Sequence, residues 1–433
     1  MFARFFIACL IPLGLAGCAP LDPPARFEPV QKQTRALTGS DLQWARTTKD
    51  RRELDARVAE LLREPLTANS AVQIALLQRP GLQARLHELG IADAELVQAS
   101  RLPNPGVTLT FWRSGEWEGS LVVDLLRLLR LTPERELAEA HLKQVQLETT
   151  QAVLQTAASA ERAYWQLMAA RQMLEQAERM QEACDAAAEL ARRAEAAGNF
   201  SALRALRELG FAQEAALTLA RARSESALAQ EAMARELGIS NFTLPEHMPA
   251  LPMQPLALPD KALEARLDVQ ASMQAAEVAA KSLGLTRRVG FVNVLEVGAA
   301  RRSGDRGAEL RLELPLFDWG EARNARAESV YAQALAQAAE VGLKARAEIA
   351  SSHQRYLASY TIARRYRDEV LPLRARAAEQ NLKRYNAMLI SVLDLLADAR
   401  EQSVSVQAAI AAERDFHLAE SEFHQALWGS APW

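Results

Sequence analysis

Ala75-Leu-Leu-Gln-Arg-Pro-Gly-Leu-Gln-Ala84 and Ala262-Leu-Glu-Ala-Arg-Leu-Asp-Val-Gln-Ala271 share five of ten residues at an offset of 187. The same offset carries Val107, at the head of one alternating apolar–polar run, onto Val294 at the head of another. A repeat this long is no short solenoid module. It predicts one unit written twice, over residues 70–240 and 260–427, joined by a linker at 241–259. Leu244 to Pro259 alone holds five prolines, the mark of a connecting segment.

Each copy reads as a helix, two strands, a very long helix and a returning helix. In the first copy a helix over 70–101 stops at Pro103-Asn104-Pro105, and strands follow near 107–113 and 119–127. Residues 134–197 then contain neither Gly nor Pro; as one helix they would measure roughly 95 Å. Gly198-Asn199 and Ser201 mark a turn with an N-cap, and a helix over 202–237 returns. In the second copy the pattern predicts a helix over 260–287, strands over 289–301 and 307–317, a long helix over 320–385 and a last helix over 391–427. Pro372 is expected to kink the long helix. Apolar residues seven apart (Leu147/Leu154, Leu167/Leu174, and Ala163, Ala170, Ala177, Cys184 and Ala191) predict coiled-coil packing with closely approaching axes.

The strand runs carry a second message. In Ala308-Glu-Leu-Arg-Leu-Glu-Leu314 the apolar residues fall on one face and the charges on the other. Val107, Leu109 and Phe111 alternate with Thr108 and Thr110 in the same way. Four such strands cannot close by themselves, and an open edge in lipid leaves backbone groups unpaired at several kcal/mol each. Either they form a small soluble sheet, or several chains share one barrel; two chains give eight strands and three give twelve. Trp112, Trp117 and Trp319 lie at strand ends, where interfacial aromatics sit, although ordinary packing would place them there too.

Composition narrows the classes. The chain has 433 residues, 49% apolar and 24% charged, with net charge −3. Such a chain is too apolar for disorder and lacks the basic excess of a nucleic-acid binder. Three cysteines, Cys9, Cys18 and Cys184, exclude a disulfide scaffold. Residues 1–17 read as a signal peptide, with Arg4 as the charged region, Phe5–Leu15 as the apolar region and Ala16-Gly17 as the small residues before the cut. Leu15-Ala16-Gly17-Cys18 resembles a bacterial lipobox, which implies lipidation at Cys18. Residues 18–69 then form a lipid-anchored segment with a short helix, and 428–433 a C-terminal tail. No later run of 18 apolar residues exists, so any membrane crossing would use strands.

The order helix, hairpin, long helix, helix, written twice behind a lipobox, resembles the TolC-type outer membrane efflux factors. Pro315-Leu-Phe-Asp-Trp-Gly320 is similar to their strand-to-helix signature, and Arg79-Pro80 and Arg266-Leu-Asp-Val269 to their pre-strand helices. Glu369-Val-Leu-Pro372 and Arg384-Tyr-Asn-Ala-Met-Leu-Ile-Ser-Val-Leu-Asp394 are similar to their second long helix and hairpin tip. The resemblance implies a mainly α fold with a small β part. It implies a homotrimer with a shared twelve-stranded outer-membrane β-barrel and an α-barrel tunnel reaching into the periplasm. It also implies docking to a periplasmic adaptor and an inner-membrane pump, with no cofactor.

On that resemblance the hairpin tips Gly198, Asn199, Phe200 and Ser201, and Asn386, Ala387, Met388, Leu389 and Ser391, would meet the adaptor. Asp394 matches the family's acidic constriction. The family's second aspartate would fall at 397, which is Ala here, with Asp398 one residue late. In a trimer each carboxylate would make a ring of three, able to select cations. Arg204 sits in the equivalent neighbourhood of the first copy and is expected to pair with Asp394. His417, Glu420 and His424 share a helix face and could hold a metal, or could simply be exposed polar residues. No catalytic constellation is present: there is no GxxxxGK[ST], HExxH or GxSxG. The reading is the channel of a tripartite efflux system, a passive duct for metal ions or small toxic compounds. The alternative is a lipid-anchored periplasmic coiled-coil scaffold or adaptor.

Overall fold

The computed structural model describes residues 21–289, 294–302, 305–313 and 316–429. The signal peptide, Cys18 and residues 430–433 lie outside the described residues, as do Phe291, Asn293, Leu314 and Pro315 from the strand and signature runs. The elements run α1 (Pro23–Thr38), α2 (Thr48–Leu61), α3 (Ala68–Gln78), α4 (Pro80–Ala99), β1 (Gly106–Phe111), β2 (Trp117–Asp124), α5 (Leu125–Ala196) and α6 (Ala202–Leu237). After the Pro-rich segment come α7 (Ala262–Ala265), α8 (Leu267–Val289), β3 (Leu295–Arg302), β4 (Asp305–Leu312), α9 (Glu321–Arg365), a π-helical turn (Tyr366–Val370), α10 (Leu371–Asn386) and α11 (Val392–Trp428). Among the described residues no helix is long and apolar enough to cross a membrane.

Two breaks fall at matched arginines. Arg79 is extended, with φ −64° and ψ 116°, because the ring of Pro80 disfavours helical geometry in the residue before it. The break therefore splits the expected helix over 70–101 into α3 and α4. Arg266 separates α7 from α8 in the same way, but for a different reason. Its guanidinium is 1% exposed and grips the Asp268 carboxylate with two hydrogen bonds of 2.9 and 2.6 Å. Asp268 in turn accepts the Val269 amide at 2.8 Å, so a buried ion pair fixes the first turn of α8.

The long helix of the first half begins at Leu125 rather than 134, so the expected strand over 119–127 is cut short. The Asp124 carboxylate accepts the Arg127 amide at 3.0 Å and caps the new helix. Pro133 is accommodated inside it. In the second half the long helix does not break at Pro372. Five residues widen into a π turn just before it, and the Leu371 amide bonds back to the Tyr366 carbonyl. This wide turn absorbs the carbonyl that Pro372 cannot serve.

Packing divides the chain into two compact units. The first comprises residues up to 33 with 84–151 and 263–345; the second comprises 34–83, 152–262 and 346–433. The first unit holds the sheet, in the order β1-β2-β3-β4, with every neighbouring pair antiparallel. The second is built on alanine. Ala160, Ala163 and Met168 of α5 pack with Ile74 and Leu77 of α3, with Val58 of α2, and with Met233 and Leu237 of α6. Tyr164 is buried in that cluster, its hydroxyl donating to the Leu66 carbonyl at 3.2 Å and its pKa pushed up to about 12 by burial. The Pro-rich segment is strapped down by tyrosines: Tyr356 Oη accepts the Leu256 amide at 3.0 Å, and Tyr360 donates to the Met253 carbonyl at 2.8 Å.

One glycine is indispensable to the sheet. A Cβ at Gly298 would sit 2.7 Å from the Leu121 carbonyl oxygen, whereas one at Gly307 of the next strand would meet nothing within 4 Å. Gly298→Ala is therefore expected to destabilise the β2–β3 pairing by about 1–3 kcal/mol, as overpacking does. Gly307→Ala should be neutral. Protease susceptibility of the hairpins in the two variants, compared with the parent, checks this.

Candidate functional site

The strand register sorts the sheet into two chemically different faces. Val107 pairs with Leu121, Leu121 with Ala299, and Ala299 with Ala308; Val297 pairs with Leu310, and Leu295 with Leu312. Successive residues point to opposite faces, so this face is apolar across its middle, with Arg301 and Arg306 on it at the hairpin end. It is also exposed: Val107 is 67% accessible, Phe111 77% and Leu310 68%. The opposite face carries Thr108, Thr110, Ser120, Glu296, Glu309 and Arg311, which line a hollow of about 550 Å³. Globular sheets bury the apolar face and wet the polar one; here the apolar face is the uncovered one. The sheet's outer edges, on β1 and β4, pair with no strand among the described residues.

Of the aromatics expected at strand ends, Trp117 falls on the same apolar face by register, while Trp112 and Trp319 lie outside the strand ladder and are exposed. Phe111 pairs with Trp117 across the first hairpin, and Trp112 lies in its turn. The Arg301 guanidinium lies 6.0 Å from the Trp117 ring centroid. Trp117 also covers Gly119, with ring carbons about 3.2 Å from where a Cβ would stand.

The two helix hairpin tips are built alike. Gly198 and Met388 each take a left-handed conformation, with φ 77° and 59°, and three residues later Ser201 and Ser391 cap the returning helix. Asn199 closes the first turn by donating to the Ala194 carbonyl at 2.8 Å, and Leu389 the second by donating to the Arg384 carbonyl at 2.9 Å. Met388 is a non-glycine residue in a region that costs an L side chain roughly 1–2 kcal/mol. It is 93% exposed, and Leu389 beside it is 70% exposed, so the second tip presents bare apolar side chains. Phe200 is half-buried under the Arg204 guanidinium, which stacks 4.3 Å from its ring centroid. Asn386 ends α10 and Ala387 caps it.

Asp394 has a local role that its sequence position alone does not disclose. It is the third residue of a capping box: its carboxylate accepts the Ser391 amide at 2.9 Å and the Ser391 hydroxyl at 2.7 Å. Those bonds, with the more distant Arg204 and Arg384 charges, hold its carboxyl below the usual range. The expected Arg204–Asp394 contact is not formed. Arg204 is engaged with Phe200 and acts on Asp394 only at longer range. Asp398, one turn on, is half-buried.

The direct link between α6 and α11 is instead Arg400 with Glu208, a short ion pair with side chains 19% and 9% exposed. Arg400 also stacks 4.1 Å from the Phe211 ring centroid. Two residues 192 apart give no periodic signal, so the sequence did not single them out. Of His417, Glu420 and His424, the structure brings the first two together, with His417 Nδ1 3.5 Å from the Glu420 carboxylate. His417 is buried and stacks face to face on Trp165 at 3.8 Å, and its two ring nitrogens make no hydrogen bond. His424 stacks on Trp428. Among the described residues no group of three or more metal-ligating side chains forms.

No family model matches the chain, and no curated protein matches it by sequence. Solved structures do. The outer-membrane channel OprN aligns at 19% identity over 86% of this chain and 92% of its own, with a TM-score of 0.70. The outer membrane protein VceC from Vibrio cholerae aligns at 18% identity over 87% and 97%, with a TM-score of 0.66. The open state of the Neisseria gonorrhoeae MtrE outer membrane channel aligns at 18% identity over 84% and 89%, with a TM-score of 0.67.

Breaking the α6–α11 ion pair and removing the tip arginine should have unequal effects. Arg400→Leu leaves Glu208 buried without its counter-ion and is expected to cost about 3 kcal/mol. Arg204→Leu changes an exposed stack and should stay within about 0.5 kcal/mol. Denaturant midpoints of the two variants check the order. The chain has the fold of the outer-membrane channels, as its resemblance to the TolC-type efflux factors implied.

Proposed function

We propose that this chain is the outer-membrane channel of a tripartite efflux system and works as a homotrimer. The observation that carries the reading is the sheet: an exposed apolar face, a polar hollow face and two unpaired edges. In a trimer each β4 edge would meet the β1 edge of the next protomer, giving twelve strands with apolar residues toward lipid and polar residues toward a lumen. Strands of six to eight residues extend about 20–27 Å, close to the height of an outer-membrane apolar band. The channel fold of the solved relatives supports the same reading.

The helices of the three copies would then enclose a periplasmic tunnel. Residues 70–240 and 260–427 are proposed as the two repeats of the protomer, with 241–259 as their linker. Cys18 is proposed as the lipidated residue, with 1–17 removed as a signal peptide. The tips at Gly198–Ser201 and Asn386–Ser391 would meet the periplasmic adaptor, the bare Met388 and Leu389 side chains supplying an apolar contact. An inner-membrane pump would drive passage, so the duct needs no cofactor and performs no chemistry. Asp394 and Asp398 are proposed to face the narrow end of the tunnel. Arg204 lies close enough to Asp394 to temper the charge there. Metal ions or small toxic compounds are the proposed cargo.

The test is electrical. Detergent-extracted protein added to a planar lipid bilayer should give discrete channels of low conductance. Arg400→Leu, which frees α6 from α11 near the tips, should raise that conductance severalfold. Absence of channels from both proteins would contradict the reading.

A further inference from the structure

A second cavity lies inside the helical unit, apart from the sheet and from the tips. It encloses about 400 Å³ between the end of α1, the start of α3, the middle of α5 and the end of α11. Its volume is in the range of small-molecule pockets. Half of its lining residues are aliphatic: Leu37, Val72 and three alanines. Its polar groups are few and converge: Thr38, Asn69, Glu161, His424 and Trp428. No Lys or Arg lines it among the described residues, and the basic group in the wall near the Glu161 carboxyl is the His424 imidazole.

The surroundings of Glu161 sharpen this. Burial pushes its carboxyl up, opposed by the Ser421 hydroxyl and by His424, and reinforced by the nearby Glu420 charge. The free pocket thus disfavours the carboxylate that it contains, and a bound cation would restore it. In the same lining, the His424 and Trp428 rings stack at 5.6 Å between centroids and 15° between planes. A carboxyl group and an aromatic pair lining one cavity can together hold an organic cation, the first by charge and the second by the ring quadrupoles.

We propose that this cavity is a binding site for a small organic ammonium ion, with Glu161 as its counter-ion and the stacked His424 and Trp428 rings as its aromatic wall. The site is independent of the channel reading: it lies within one unit of one chain and uses none of the sheet or tip residues. An anion would meet the Glu161 carboxyl directly, and a neutral molecule would gain no charge interaction from it.

Saturation-transfer NMR on the full-length protein in detergent tests this with n-propylammonium and n-propanol, which differ in the charged group. Saturable binding of n-propylammonium in the low-millimolar range is expected, with n-propanol at least tenfold weaker. Glu161→Gln should weaken n-propylammonium at least tenfold, and Trp428→Leu about threefold or more. Equal binding of the two probes, no saturation by n-propylammonium, or unchanged affinity in Glu161→Gln would overturn the assignment. The comparison of probes on the parent protein stands even if a variant fails to fold.

Discussion

Backbone hydrogen bonding at the two edges of the sheet is the constraint on which everything else rests. Inside the sheet β2 and β3 are served on both sides; the outer N–H and C=O groups of β1 and β4 pair with no strand among the described residues. In water such edges would be hydrated and usually blunted by charge. Here they border an apolar face carrying Val107, Leu109, Phe111 and Leu310. In lipid, edges beside such a face could be satisfied only by more strands, and the described residues form four.

The helices answer the same constraint by different means. Ala160, Ala163, Ala169, Ala177 and Ala191 of α5 are almost fully buried, as are Ala205, Ala212 and Ala215 of α6. Small side chains let helix axes approach closely, so the packing spends little side-chain volume inside the protomer. Larger apolar residues are left on the outside: Leu203, Leu206 and Leu217 of α6, and Leu343 of α9, are each at least 60% exposed. On an isolated monomer these would be a liability. They suit a protomer whose helices meet those of other copies.

Much of this was legible in the sequence, and the misses share a cause. Strict alternation from Ala308 identified the strand that runs to Leu312, because period two has no competing interpretation, although every residue of it is exposed. Gly198 and Ser201, and Ser391, identified turns and caps because left-handed geometry and orphan amides demand those residue types. The run from Leu121 to Leu126 was ambiguous because it does not alternate cleanly; the Asp124 cap decided where strand became helix. Pro372 foretold a distortion but not its form, since a kink and a π turn both relieve the missing donor. Of the candidate site, the tips were readable from local chemistry. The Arg400–Glu208 and Arg266–Asp268 pairs and the setting of Glu161 were not, because burial and distant partners fix their roles and spacing does not.

Native mass spectrometry of the protein extracted from outer membranes in detergent tests the central claim most directly. The account predicts three chains in one particle that stays in solution only with detergent, because closure of the sheet requires the strands of all three. A single chain that remains monodisperse without detergent would contradict it, since the apolar face and the open edges of the sheet would then tolerate water.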